Sequence, residues 1–113
     1  MEKISKLVTQ RANIILQGFD PLSAGGFTQV PNAVLENKKL TGNAKLCYAM
    51  LLKYAWQDKC CFPGQETLGE QMGASRPTVI KGLKELEKIG YLEQKRRGQG
   101  KTNVYVLYCK IKS

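Results

Sequence analysis

The sequence predicts a mainly α-helical domain closed by a C-terminal β-hairpin, and three observations predict it. Apolar residues recur at helical spacing from Ala44 and again from Val79, which gives each segment one face to bury. Glycines stand at Gly73 and Gly90, just past the helical segments 65–72 and 76–89. Beyond Gly90 the pattern shortens to alternation in two segments that flank Gly98-Gln99-Gly100-Lys101-Thr102, a glycine-containing hairpin loop.

At 113 residues the chain is expected to form one domain around one modest core. Its 42% apolar and 24% charged content is that of a folded chain rather than a disordered one. We divide it into an N-terminal segment, residues 1–26, and a folded domain, residues 27–113. The N-terminal segment is expected to act as a strand or dimerisation arm, or to be partly disordered. Within it Ile14, Ile15 and Leu16 read as a short strand or a helical turn. Asp20-Pro21 and Gly25-Gly26 mark a turn or linker.

In the domain, Phe27 and Val30 alternate as a strand would, and Pro31 then suits the first turn of a short helix over residues 31–36. Thr41 is placed to cap a longer helix whose Ala44, Cys47, Tyr48, Leu51, Leu52 and Ala55 form a core face, with Lys45 and Lys53 pointing outward. Phe62-Pro63-Gly64 breaks the chain before a two-turn helix, Gln65–Met72, with Leu68 and Met72 inward. Gly73-Ala74-Ser75 is the next turn. Ser75 caps a helix over Arg76–Ile89, in which Pro77 is tolerated in the first turn. In the closing hairpin Tyr105 and Leu107 share one face, while Val104, Val106 and Tyr108 share the other. Both faces are apolar, so the outer one needs a cover.

The pair of helices at 65–72 and 76–89 has the residue types a helix-turn-helix requires. Gly69 allows a close crossing, Gly73 allows a sharp turn, and Val79 can lock the second helix onto the first. Gly82 is a departure, standing where a larger apolar group is common, and it implies either close packing or a loss of about 1 kcal/mol in helix stability. Together with the hairpin, these elements make a winged helix-turn-helix.

Charge is distributed unevenly. The whole chain carries +9, yet from Arg76 onward there are ten basic residues and three acidic ones. Concentrated positive charge favours a polyanionic partner, because neutralising phosphates releases condensed counterions. On the second helix Pro77, Lys81, Lys84 and Lys88 oppose the Val79, Leu83 and Leu86 stripe. A groove-reading helix contacts bases mainly through its N-terminal half, which selects Ser75, Arg76, Thr78 and Lys81. Lys84 and Lys88 reach phosphates. Arg96, Arg97, Lys101, Thr102 and Asn103 crowd the hairpin tip, where two glycines permit close approach to a sugar-phosphate backbone. The bland reading is a solvated face held by Lys81–Glu85 and Lys84–Glu87 pairs. The glycine pattern and the basic hairpin favour double-stranded DNA.

Other chemistries find little support. There is no histidine and no nucleophile with an evident base, so no catalytic site is assigned. Gly100-Lys101-Thr102 imitates the end of a phosphate-binding loop, but position 95 is Lys95 and a strand follows where that motif needs a helix. Cys47, Cys60, Cys61 and Cys109 include no C-x-x-C spacing, so neither a metal nor a cofactor is expected. Cys47 and Cys109 are read as core fillers, and Cys60 and Cys61 as buried beside Phe62. No apolar run approaches the ~20 residues of a membrane span. The opening MEKISKLVTQ lacks a signal-peptide pattern, so a cytoplasmic protein is expected.

The blocks FTQVPNAVL, NAKLCYAMLLKYAW, CFPGQETLGEQMGASRPTVIKGLKELEKIGYL and TNVYVL resemble the winged-helix DNA-binding domains of replication initiators and replisome organisers from Gram-positive plasmids, phages and integrative elements. The likeness covers about residues 27–107. It implies that the helix from Ser75 enters the major groove and that the hairpin touches the flanking backbone, through Arg76, Thr78, Lys81, Arg96, Arg97 and Lys101. It also implies replication or other mobile-element proteins as partners. Initiators of this kind usually continue into a second domain, whereas this sequence runs to Ser113. Two further readings stand beside origin binding: a small transcriptional repressor of the same fold, and a protein-interaction module using the outer hairpin face. That face and Ile14–Leu16 also raise homodimerisation as a separate expectation.

Overall fold

The computed structural model describes residues 13–20, 24–58, 64–95 and 104–111. Among these described residues four α-helices precede a two-stranded antiparallel sheet: α1 (Asn32–Leu35), α2 (Gly42–Lys53), α3 (Gln65–Met72), α4 (Arg76–Ile89), β1 (Leu92–Lys95) and β2 (Val104–Leu107). In the sheet Leu92 pairs with Leu107 and Lys95 with Val104. This mainly helical domain with its C-terminal hairpin is a winged helix-turn-helix.

Local chemistry sets the helix limits. Thr41 Oγ1 accepts the Ala44 N–H at 3.2 Å and opens α2. Ser75 does the same for Thr78 at the start of α4, with Pro77 in the first turn. Gly73 ends α3 in the left-handed conformation at φ 72°. The Ala74 N–H then returns to Gly69 O at 2.8 Å and the Gly73 N–H to Glu70 O at 3.3 Å, which satisfies carbonyls the helix end would otherwise leave bare.

The core is one cluster. Val34 from α1, Leu40 from the turn before α2, Ala44, Cys47, Tyr48, Leu51 and Leu52 from α2, Leu68 from α3, and Val79, Leu83 and Leu86 from α4 are buried together with Tyr91 and Leu92. Each large apolar side chain removed from water contributes about 1.5–3 kcal/mol before ordering entropy is counted. Met72, Tyr105 and Leu107 pack against the cluster, so of the two apolar hairpin faces the one holding Tyr105 and Leu107 covers the core. Tyr48 and Tyr91 meet edge to face with ring centroids 6.0 Å apart. Their hydroxyls donate to Tyr108 O at 2.8 Å and Ala33 O at 3.3 Å, fastening the chain after β2 to α2 and the chain after α4 to α1.

Two glycines set how closely the helices approach. A Cβ on Gly69 would lie 2.6 Å from Ala74 O and 3.5 Å from Val79 Cγ2. One on Gly82 would lie 3.0 Å from Cys47 Sγ and 3.3 Å from Ala44 Cα. Gly82 is therefore a packing residue, and the close-approach reading of it holds.

Several expectations fail here. Phe27 to Val30 forms no strand; Val30 alone packs on the core, and Pro31 has no N–H to continue a ladder. Ala55 is exposed, because α2 passes into a π-helical turn at Tyr54–Asp58. The wider turn rotates the chain out of the 3.6-residue register. Cys109 is exposed rather than a core filler, since strand pairing ends at Leu107. Ile14, Ile15 and Leu16 form neither strand nor helical turn and are exposed, Ile14 by 71%. On the outer hairpin face the Tyr108 hydroxyl donates to Glu93 Oε1 at 2.9 Å and that ring is half-buried, while Val104 is exposed. Cys60, Cys61 and the hairpin tip lie outside the described residues. Among the described residues no helix is long and apolar enough to cross a membrane.

Gly69→Ala should destabilise the domain more than Gly82→Ala, because its new methyl meets backbone oxygen at the tighter distance. For Gly82→Ala, overpacking of about 1–3 kcal/mol offsets the roughly 1 kcal/mol of helix propensity gained. Urea unfolding of both variants checks the order.

Alkaline pH gives a second expectation. Burial, with Glu85 adding to it, pushes the Cys47 thiol from 9.0 to about 11. Burial, with Cys109 and Tyr91 adding to it, pushes the Tyr48 phenol from 10.0 to about 12. Both groups hold their protons longer folded than unfolded, so their contribution is full below the unfolded values and lost as pH rises through the folded ones. Melting temperature should hold up to about pH 9 and fall towards pH 12, and Cys47→Ala should move the onset to about pH 10.

Candidate nucleic-acid interface

Helix α4 supplies the site, and its sequence divides it into two faces. Val79, Gly82, Leu83 and Leu86 are buried. Pro77, Lys81, Lys84 and Lys88 are exposed and fall within about 60° of arc at 100° per residue. One side of the helix anchors it, and the other presents a row of cations.

The acids that could neutralise this row are engaged elsewhere. Glu85 accepts the Thr41 N–H at 3.1 Å and the Thr41 hydroxyl at 2.8 Å, tying α4 to the N-terminus of α2. Glu87 accepts from Gln94 Nε2 at 2.9 Å on β1. Among the described residues, Lys81, Lys84 and Lys88 form no ion pair, and the i,i+4 and i,i+3 pairs of the solvated-face reading are not made. A cationic helix face without its own counterions leaves its charge available to an anionic partner.

At the N-terminal end, Ser75 and Arg76 are exposed and Thr78 is half-buried. The Ser75 and Thr78 hydroxyls are 2.9 Å apart and share a hydrogen bond, so part of their capacity is used in capping. Arg76 leans to the flank facing α3, where its Nε donates to Gln65 Oε1 at 3.2 Å. Arg76, Pro77, Ile80, Lys81 and Lys84 line one shallow depression. The structure thus brings together Ser75, Arg76, Thr78, Lys81, Lys84 and Lys88 on one helix. Arg96, Arg97, Lys101, Thr102 and Asn103 lie outside the described residues. β1 and β2 carry the chain into and out of that tip.

Sequence reasoning missed two residues. Ile80 is half-buried between the apolar stripe and the lysine row, where its side chain can meet a thymine methyl. Its signal was the angle alone, intermediate between the two faces. Gln65 opens α3, eleven residues before its partner, and only tertiary packing joins them.

Comparison with known proteins agrees with this geometry. The helix-turn-helix domain family matches residues 38–92. A solved structure described as the N-terminal domain of DNA binding protein is 30% identical, with a TM-score of 0.54, and the likeness covers 73% of this chain and 73% of that one. No curated protein matches the chain. The matched region holds α2, α3, α4 and the two glycine contacts between them, and the chain belongs to the helix-turn-helix domain family.

Proposed function

We propose that this helix-turn-helix domain binds double-stranded DNA with sequence specificity, and that it does so at an origin or comparable control site of a mobile element. The observation that carries DNA binding is the lysine row of α4, whose neighbouring acids are committed to Thr41 and Gln94. The 30% identical structure, described as part of a DNA binding protein, supports the same reading. In it, Arg76, Thr78 and Lys81 address base edges in the major groove, with Ser75 at the helix start. Lys84 and Lys88 reach phosphates, and the hairpin tip rests on the flanking backbone.

The replication role rests on the resemblance of the sequence blocks to initiator and organiser domains. A transcriptional repressor would use the same binding chemistry at a different locus. Recovering bound fragments from the native genome separates them: an iterated origin supports replication, and a promoter overturns it.

A specific observation favours a second reading, protein interaction. An apolar hollow of about 800 Å³ is lined by Val30, Leu52, Trp56, Val106 and neighbouring residues, and it shares none with the cationic face. The exposed Ile14, Ile15 and Phe19 offer this chain's own apolar segment for self-association. A two-fold dimer would prefer inverted half-sites about one helical turn apart. Sedimentation at tens of micromolar, free and on DNA, measures this, and a monomer in both states removes the dimer.

Two measurements test DNA binding. With about six phosphates contacted, log affinity should fall against log salt with a slope near −5. A flat titration contradicts the reading. Arg76→Ala combined with Lys81→Ala should abolish discrimination between specific and scrambled duplexes, at about 1–3 kcal/mol for each lost base contact. If a protein-interaction module is the true function, that double variant retains full activity.

A further inference from the structure

We infer that Gln65 is a positioning residue that holds the Arg76 guanidinium ready for a pair of hydrogen-bond acceptors on the duplex. The inference rests on the DNA-binding reading above and adds a residue from the other helix of the pair.

Gln65 and Arg76 are the first residues of α3 and α4. The turn at Gly73 and the close crossing at Gly69 bring these two starts together. Gln65 Oε1 accepts from Arg76 Nε at 3.2 Å. This is the one guanidinium nitrogen within the chain of the side chain. Engaging it leaves both terminal nitrogens without a hydrogen-bond partner among the described residues and aims them end-on. Two parallel N–H groups in that orientation match guanine O6 and N7, or two oxygens of one phosphate.

The residue type is informative. Glu66 stands next to Gln65, and both line a shallow depression with Gly64, Thr67 and Arg76. Among the described residues, Arg76 makes no ion pair. The amide therefore fixes the direction of the guanidinium without cancelling its charge, which a carboxylate at the same position would do. An arginine restrained before binding loses less side-chain freedom when it docks.

The test is a double-mutant cycle on the whole chain. Wild type, Gln65→Ala, Arg76→Ala and the double variant are titrated with a duplex selected from a random library and with its scrambled counterpart. Gln65→Ala should weaken binding about fivefold and Arg76→Ala about tenfold or more. The double variant should be no weaker than Arg76→Ala alone, since Gln65 has nothing left to position. Losses on the selected duplex only identify a base edge as the acceptor, and equal losses on both identify a phosphate. Gln65→Glu should weaken binding to both duplexes and lower the salt slope by about one, because it neutralises one cation. Melting temperatures should be unchanged, which separates positioning from a fold defect. Losses that add in the double variant, while wild type still prefers the selected duplex, overturn this inference alone. A wild type that binds neither duplex removes the DNA-binding reading and this inference with it.

Discussion

The contact between α2 and α4 at Gly82 is the constraint on which the rest depends. With no side chain there, α4 settles against Ala44 and Cys47 of α2. Val79, Leu83 and Leu86 then enter the core. Glu85 comes within reach of Thr41 and closes the N-terminus of α2. A larger residue at position 82 would hold the helices apart and weaken that hydrogen-bonded latch along with the packing. The same approach fixes which side of α4 remains outside, and that side holds Pro77, Lys81, Lys84 and Lys88.

Packing and electrostatics are coupled through this helix. The acids on α4 act as structural acceptors, Glu85 toward α2 and Glu87 toward β1. Their use in the fold leaves the lysines without intramolecular partners among the described residues. A helix in isolation would share charge between neighbouring turns. Folding redistributes those interactions, so stability and available positive charge come from the same contacts. The second glycine, Gly69, works in the same sense for α3 by letting Val79 and the turn approach its backbone. It thereby sets the angle at which Gln65 reaches Arg76.

Much of this was legible in the residues. Helices α3 and α4 follow from capping and turn chemistry that is local: Ser75 and Pro77 open one, Gly73 and Gly90 close them. The core face of α2 was legible as far as Leu52, because five buried residues keep helical spacing. It failed at Ala55, where a π turn changes the period that the reading assumed. Cys109 failed for a related reason. Alternation places it with Tyr105 and Leu107, yet pairing stops at Leu107 and the side chain turns outward. Phe27 and Val30 stand three residues apart, which would put them on opposite faces of a strand, so the pair gave no shared face to bury and no strand forms. Of the candidate interface, the lysine row was visible from angle alone, whereas Gln65 and the diversion of Glu85 and Glu87 were not.

The sequence by itself determined where α3 and α4 start and stop, which face of α4 is apolar, and that positive charge gathers after Arg76. These are properties of neighbours a few residues apart, and capping, glycine conformation and periodicity act at that range. Only the tertiary structure decided what each polar group on that helix touches. Glu85 bonds a residue 44 positions away, and Arg76 one 11 positions away. Such partners are chosen by the approach of helices around a shared core, a distance-dependent outcome that no local pattern contains.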